Sequence, residues 1–319
     1  RLVGSEMCIR DSYDTEKKTA YQDCYASLNA GKTLGIGNYD SANIIHSNGK
    51  FYLLVGTSTS NRDHFYIVDA KTLYYENSAV VGANLSGLTI LNEQYGLVTG
   101  DGIRRIDLKS LNNVRIKNER LLCFYNSIIY NGKVLSNDTY KDESKVKYYD
   151  VNELIAAKEG EAPAVTELDI IQKQKINFVL AKDGNVYTLE SADNGCNIVK
   201  IKNDFTLEKV FANFQPAKGP YHSSPTIGMV ASETENIIYL VSTDGAIYKY
   251  ILGDSDSLKA PFIAAESGVS ITAPLQLNQQ SGELYVTYTE ERKDESKIVV
   301  YSKDGKVLHT VDCGESVPS

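Results

Sequence analysis

The chain has no tryptophan, two methionines and seven prolines in 319 residues. No run of about 18 apolar residues occurs, which excludes a membrane-spanning helix. Basic residues number 33 against 41 acidic ones, for a formal charge of -8. A mildly acidic chain without a basic stripe excludes nucleic acid as the main partner. Cysteine pairs of CxxC spacing are missing, and with them zinc-ribbon and dithiol redox chemistry. There is no G-x-S-x-G elbow and no glycine loop of the phosphate-cradling kind. What is present points to strands: 22 tyrosines, 23 glycines and 42% hydrophobic residues, with few long Ala/Leu/Glu stretches.

One phrase recurs. An apolar strand leads through a turn to a second strand, then a polar loop, then a third strand that ends in an Asp or Asn corner before a fourth. The corner is clearest at Val68-Asp69-Ala70-Lys71-Thr72-Leu73 and Ile106-Asp107-Leu108-Lys109-Ser110-Leu111, with looser copies at Tyr149-Asp150 and Tyr301–Val307. Short polar side chains hold such corners by bonding nearby backbone amides. The turn before the second strand repeats as Asn48-Gly49, Asn131-Gly132, Asp183-Gly184 and Ser281-Gly282. Asn-Gly and Asp-Gly supply the positive φ of a two-residue hairpin.

First strands opening near Asn43, Leu88, Phe124, Ile176, Pro225 and Ile271 are 45, 36, 52, 49 and 46 residues apart. A period of roughly 40–50 with four strands per unit predicts an all-β fold, a β-propeller. Six blades are visible. Tyr13-Asp14 matches a third-strand corner, so Thr19–Ala26 is expected to be the fourth strand of an incomplete seventh blade. Asn152–Gly160 is the one helix-like stretch. Residues 1–12 have no periodicity and resemble translated sequencing-adapter DNA of metagenomic origin, so 1–12 is expected to be a non-native tail and 13–319 a single propeller domain.

These residues resemble the YncE-like propeller surface lipoproteins of gut anaerobes, several of which form a domain of unknown function and one branch of which captures cobalamin. The carriers are Tyr13-Asp14 with Leu34-Gly35, Asn48-Gly49-Lys50-Phe51-Tyr52, the Val68-Asp69 and Ile106-Asp107 corners, and the closing Lys303–Val307 and Cys313–Pro318 segments. Where that family often carries Pro-Arg, this chain has Leu85-Ser86-Gly87. The resemblance implies a secreted or outer-membrane-anchored protein that binds a small molecule of corrinoid type or a glycan, or docks to an outer-membrane transporter.

Chemistry is sparse. Quinone-dependent dehydrogenase propellers use tryptophan docking motifs, which this chain cannot supply. Four histidines are available, His46, His64, His222 and His309. The expectation is His46 on an inner strand as a hydrogen-bonded structural residue and His309 on an outer strand, and His64 with His222 do not make a metal site. Ser242-Thr243-Asp244-Gly245 and Asp254-Ser255-Asp256-Ser257 are read as turns. With Cys8 set aside in the tail, Cys24, Cys123, Cys196 and Cys313 are read as separate thiols, a Cys24–Cys313 disulfide being conceivable. No cofactor, metal or catalytic set is expected.

Ligands of propellers gather on the face where second-to-third-strand loops and blade-to-blade crossings open. The candidate binding residues there are Tyr39, Arg62, His64, Asp101, Tyr125, Tyr140, Tyr221, His222, Tyr288 and Arg292. Tyrosine faces stack on a ligand while carboxylates and amides bond its edges. The competing reading is a lyase- or lactonase-type enzyme with its site at the channel mouth. Most tyrosines are expected to pack between blades.

Overall fold

The computed structural model describes residues 2–3, 12–14, 19–21, 42–55, 63–82, 87–100, 102–117, 127–137, 144–161, 163–172, 178–217, 228–271, 275–290 and 295–315. The fold is an all-β propeller built of antiparallel blades. The strands are β1 (Leu2–Val3), β2 (Ser12–Asp14) and β3 (Thr19–Tyr21), then β4 (Ala42–Ser47), β5 (Lys50–Val55), β6 (Asp63–Asp69) and β7 (Tyr75–Gly82) in blade one. Blade two is β8 (Gly87–Ile90), β9 (Tyr95–Gly100), β10 (Gly102–Asp107) and β11 (Asn113–Lys117). Blade three is β12 (Ile128–Tyr130), β13 (Lys133–Asn137), β14 (Ser144–Asp150) and β15 (Val165–Gln172), with helix α1 (Val151–Ala156) between its last two strands. Blade four is β16 (Val179–Leu180), β17 (Val186–Ala192), β18 (Gly195–Ile201) and β19 (Leu207–Phe214). Blade five is β20 (Met229–Ala231), β21 (Ile237–Val241) and β22 (Ile247–Ile251). In blade six β23 (Val269–Ile271) and β24 (Gln276–Leu277) both pair with β25 (Leu284–Glu290), which is followed by β26 (Glu295–Tyr301) and β27 (Val307–Glu315).

Two expectations are corrected. There are six blades, not seven: β1–β3 form a separate three-stranded sheet of two- and three-residue strands, too short to make a four-stranded blade. Its pairing takes in residues assigned to the tail, since Leu2 and Val3 lie opposite Asp14 and Tyr13, and Ser12 opposite Tyr21. Blade five also lacks a fourth strand. Asp254 caps a single 3-10 turn (Ser255–Leu258), and the outer edge of β22 is held only at its ends, by bridges from Ile247 to Ile263 and from Ile251 to Asp254.

The repeated corners form as the residues dictate. Oδ1 of Asp69 accepts from the amides of Lys71 and Thr72 (3.1 and 2.7 Å) and from the Thr72 hydroxyl (2.7 Å). Asp107 repeats this with Lys109, Ser110 and the Ser110 hydroxyl at 3.0, 2.7 and 3.0 Å. In both, the chain then turns through a left-handed leucine, Leu73 or Leu111 (φ 59° in each), whose side chain is buried. At Asp150 the same carboxylate accepts from Asn152 and Glu153 and becomes the N-cap of α1. Of the four hairpin turns only Asn48-Gly49 (φ 50° and 71°) and Asn131-Gly132 (φ 46° and 70°) carry the two positive φ values of a two-residue loop. At Asp183-Gly184 and Ser281-Gly282 only the glycine is left-handed, and the loops are longer.

By packing density the chain divides into two compact units, residues 1–140 with 147–167 and residues 141–146 with 168–319. The first has two inter-blade cores. Tyr52, Leu54, Phe65 and Ile67 of blade one meet Leu88, Val98 and Ile106 of blade two, while Leu97, Ile103 and Ile116 of blade two meet Val134, Tyr149 and Leu154 of blade three. In the second unit Tyr187, Leu189 and Ile198 pack on Ile238, Leu240 and Tyr250, and Tyr239, Val241 and Ile247 pack on Leu284, Val286 and Tyr301. Among the described residues ten tyrosines are buried, consistent with a packing role for them.

The corner carboxylates fix an acid limit. Asp107 and Asp150 titrate below the ordinary 3.8, chiefly through the Ser110 amide for Asp107 and the Lys133 ammonium for Asp150. A depressed folded-state value gives stability that is complete above about pH 4 and is lost as pH falls through the folded value. A pH titration by circular dichroism is therefore expected to show unfolding beginning below pH 4, with Asp107→Asn/Asp150→Asn reducing the slope there.

Candidate functional site

Each compact unit buries polar side chains in its strands. In the first, Asp63 opens β6 at 1% exposure, and Thr99 and Asn137 are buried at the ends of β9 and β13; in the second, Gln172 at the end of β15 and Thr188 on β17 are buried. Gln172 donates Nε2 to the Thr188 hydroxyl and to the Leu189 carbonyl, both at 2.9 Å, tying β15 to β17. Beside it Glu190 accepts from Asn197 Nδ2 (2.8 Å) and pairs with Lys209 (3.4 Å). Cys196 is a buried free thiol whose pKa is pushed up to about 11, by burial first and the Glu190 charge second. It is a packing residue and not a nucleophile, which needs the thiolate.

Two candidate binding residues fall within the described strands. His64 is half-buried on β6, stacked on Tyr66 at 5.9 Å and 18°. Tyr288 is 2% exposed in the core between blades five and six, shares a hydrogen bond with the Tyr301 hydroxyl (3.0 Å) and lies under the Lys297 ammonium, 5.9 Å from the ring centre. Burial, and then the Tyr301 bond, push its phenol well above the ordinary range. Tyr39, Arg62, Asp101, Tyr125, Tyr140, Tyr221, His222 and Arg292 lie outside the described residues, as do Cys24 and Cys123.

The other histidines and motifs are placed as follows. His46 is on β4 as expected, where it is exposed and leans on Phe51 with ring centres 5.3 Å apart. His309 is on the outer strand β27. Ser242–Gly245 is a turn in which Ser242 donates to Asp244, and Asp244 accepts from the Ala246 amide at 3.1 Å. Asp254 caps its turn by accepting from the Asp256 amide at 3.0 Å. Among the described residues no three His, Cys, Asp or Glu side chains gather in a way that would hold a metal ion.

The family model described as "Domain of unknown function (DUF5074)" matches residues 11–314. The chain belongs to that family. The DUF5074 chain is similar to the crystal structure of a quinoprotein alcohol dehydrogenase-like protein from Bacteroides thetaiotaomicron VPI-5482, with 99% identity and a TM-score of 0.92 over 96% of this chain and 73% of that one. A functionally unknown protein from Desulfotomaculum acetoxidans matches at 12% identity and TM-score 0.59, over 98% of this chain and 95% of the other. The Cps50 (Swd1) β-propeller domain of Myceliophteria thermophila matches at 12% identity and TM-score 0.53, over 86% and 90%. The last two likenesses bear on fold alone. No curated protein matches the chain.

Sequence reasoning missed two features. The buried polar side chains had a readable signal, Thr99, Asn137 and Thr188 within the otherwise apolar strands β9, β13 and β17. The other is a cross-strand arginine pair in blade two, visible only once the register is fixed.

Proposed function

We propose that this DUF5074 chain is a non-enzymatic binding propeller, secreted or anchored at the outer cell surface. Its ligand is a small molecule of corrinoid type or a glycan, or it docks to an outer-membrane uptake partner. The observation that carries the reading is the use made of acidic side chains. Asp69, Asp107, Asp150, Asp183, Asp204, Glu208 and Asp244 all titrate low. Turn amides, hydroxyls and lysines hold these carboxylates ionised, as anchors, whereas a general acid needs a raised value. The stacking and hydrogen-bonding residues proposed to meet a ligand are Tyr39, Arg62, His64, Asp101, Tyr125, Tyr140, Tyr221, His222 and Arg292.

A redox reading is raised by the name of the Bacteroides relative. Against it stands the absence of tryptophan from all 319 residues. Residues 1–12 are proposed to be a non-native tail, a reading supported by a family match that begins only at residue 11 and opposed by the pairing of Leu2, Val3 and Ser12 with Asp14, Tyr13 and Tyr21.

Melting the full chain with cobalamin and a panel of oligosaccharides tests the proposal, alongside metal analysis. A ligand at 100 times its Kd is expected to raise stability by about 2.7 kcal/mol. A stoichiometric divalent ion together with turnover of a lactone or lyase substrate would overturn it in favour of an enzyme.

A further inference from the structure

We propose that Asn48, in the β4–β5 turn of blade one, is a site of spontaneous covalent modification: deamidation through a cyclic imide closed by the Gly49 amide. The fold selects it over the chain's two other Asn-Gly steps, Asn131-Gly132 and Asn194-Gly195. The reaction brings the glycine backbone nitrogen onto Cγ of the preceding asparagine. It therefore needs that nitrogen unbonded and room for the peptide to swing, which a side chain on the second residue would restrict. Asn48 and Gly49 are both exposed, at φ 50° and 71°. Among the described residues no partner holds the Asn48 side chain or the Gly49 amide; Gly49 is tied to the Asp69 corner through its carbonyl, which accepts from the Ala70 amide at 2.9 Å. A Cβ built on Gly49 would meet nothing within 4 Å.

The other two steps are held. Asn131 has a partner of its own, and its turn is fastened to the start of α1: the Gly132 carbonyl accepts from Val151 at 2.9 Å and Lys133 pairs with Asp150 at 2.7 Å. The Asn194 carbonyl accepts from Gln215 Nε2 at 2.6 Å, and Gly195 lies in the ladder opposite Ala192. Space is closed there too, since a Cβ on Gly195 would stand 2.5 Å from the Phe214 carbonyl oxygen. At Asn48 the Gly49 nitrogen bonds to Cγ, the Cγ–Nδ2 bond breaks, and the proton of the attacking amide leaves with Nδ2 as ammonia. Water then opens the imide, at Cγ to give aspartate or at the Asn48 main-chain carbonyl to give isoaspartate. Either product adds one negative charge to a chain of -8. Isoaspartate also puts an extra methylene into the main chain of a two-residue loop that sets the pairing of β4 with β5, Ser47 opposite Lys50 through Ala42 opposite Val55. The modification is independent of the ligand-binding role proposed above, and either can fail without the other.

The test is peptide mapping by mass spectrometry of the full chain, held in mildly alkaline buffer in its native state and, in parallel, in concentrated urea. The peptide carrying Asn48 is expected to gain one mass unit and to separate chromatographically into aspartate and isoaspartate forms. In the native chain Asn48 is expected to react at least about fivefold faster than Asn194, roughly what one hydrogen bond is worth in rate, and faster than Asn131. In urea the three rates are expected to converge, because each step is the same dipeptide. Gln215→Ala is expected to speed the reaction at Asn194 and leave that at Asn48 unchanged. If that variant does not fold, the comparison of native with urea-unfolded chain decides. An unmodified Asn48 in the native chain, Asn131 or Asn194 reacting there as fast as Asn48, or a lead of Asn48 that persists undiminished in urea would overturn the proposal.

Discussion

Replacing Phe65 with alanine is expected to destabilise the protein by about 3–5 kcal/mol, read as a lower urea midpoint at unchanged slope. Phe65 is fully buried on β6, stacked on Tyr52 with ring centres 6.1 Å apart, in the core shared by blades one and two. Its ring is held between Leu54 on one neighbouring strand and Ala79 on the other, so strand pairing resists collapse around the void. The spread of the expected cost is the spread in how far such a site can close. Val80, on the adjacent strand and 48% exposed, is the internal comparison. Val80→Ala is expected to stay within about 0.5 kcal/mol. A Phe65→Ala loss below about 1 kcal/mol would mean that blades one and two do not share this core.

The second large effect is at Arg105. One Nη donates to the carbonyls of Leu154 (3.4 Å), Ile155 and Ala157 (3.0 Å), while the guanidinium carbon lies 5.1 Å from the Tyr95 ring centre. The last carbonyls of α1 have no partner within the helix, and a cation there also meets the negative end of the helix dipole. Arg105→Met keeps much of the apolar stem and removes every donor. It is expected to cost about 2–3 kcal/mol, since hydrogen bonds to charged groups are worth more than neutral ones and their acceptors are left partly buried. Arg105→Lys should recover part of that, because one ammonium cannot reach three carbonyls with the same geometry. Equal stability of Arg105→Lys and the unaltered chain would show that charge, not the fork, matters.

The sequence carried most of the blade plan because the signals were local. First strands expected near Asn43, Leu88 and Ile271 begin at Ala42, Gly87 and Val269, and α1 falls inside the helix-like stretch. Ile176 and Pro225 lie outside the described residues, and the described strands that follow them begin at Val179 and Met229. Blade five departs from the expected four strands for another reason. Pro261 brings no amide to a ladder, and Phe262 and Ile263 bond to Ile247 without extending into a strand. The site was less legible still. No sequence pattern alone says that Arg104 faces Arg115 while Arg105 faces a helix end. Tyr288 illustrates the reverse difficulty: a tyrosine near a loop can have its hydroxyl satisfied by a second tyrosine across the strand pair.

Among the described residues the corners at Asp69 and Asp107 are closed within their own blades, by bonds among half a dozen consecutive residues and one each from Ala70 to Gly49 and from Leu108 to Gln94. A module whose bend is self-sufficient can be copied in tandem, or degraded after copying, without unmaking the bends on either side. Blade five, in which the outermost strand has given way to a short turn, is what such independent drift leaves behind.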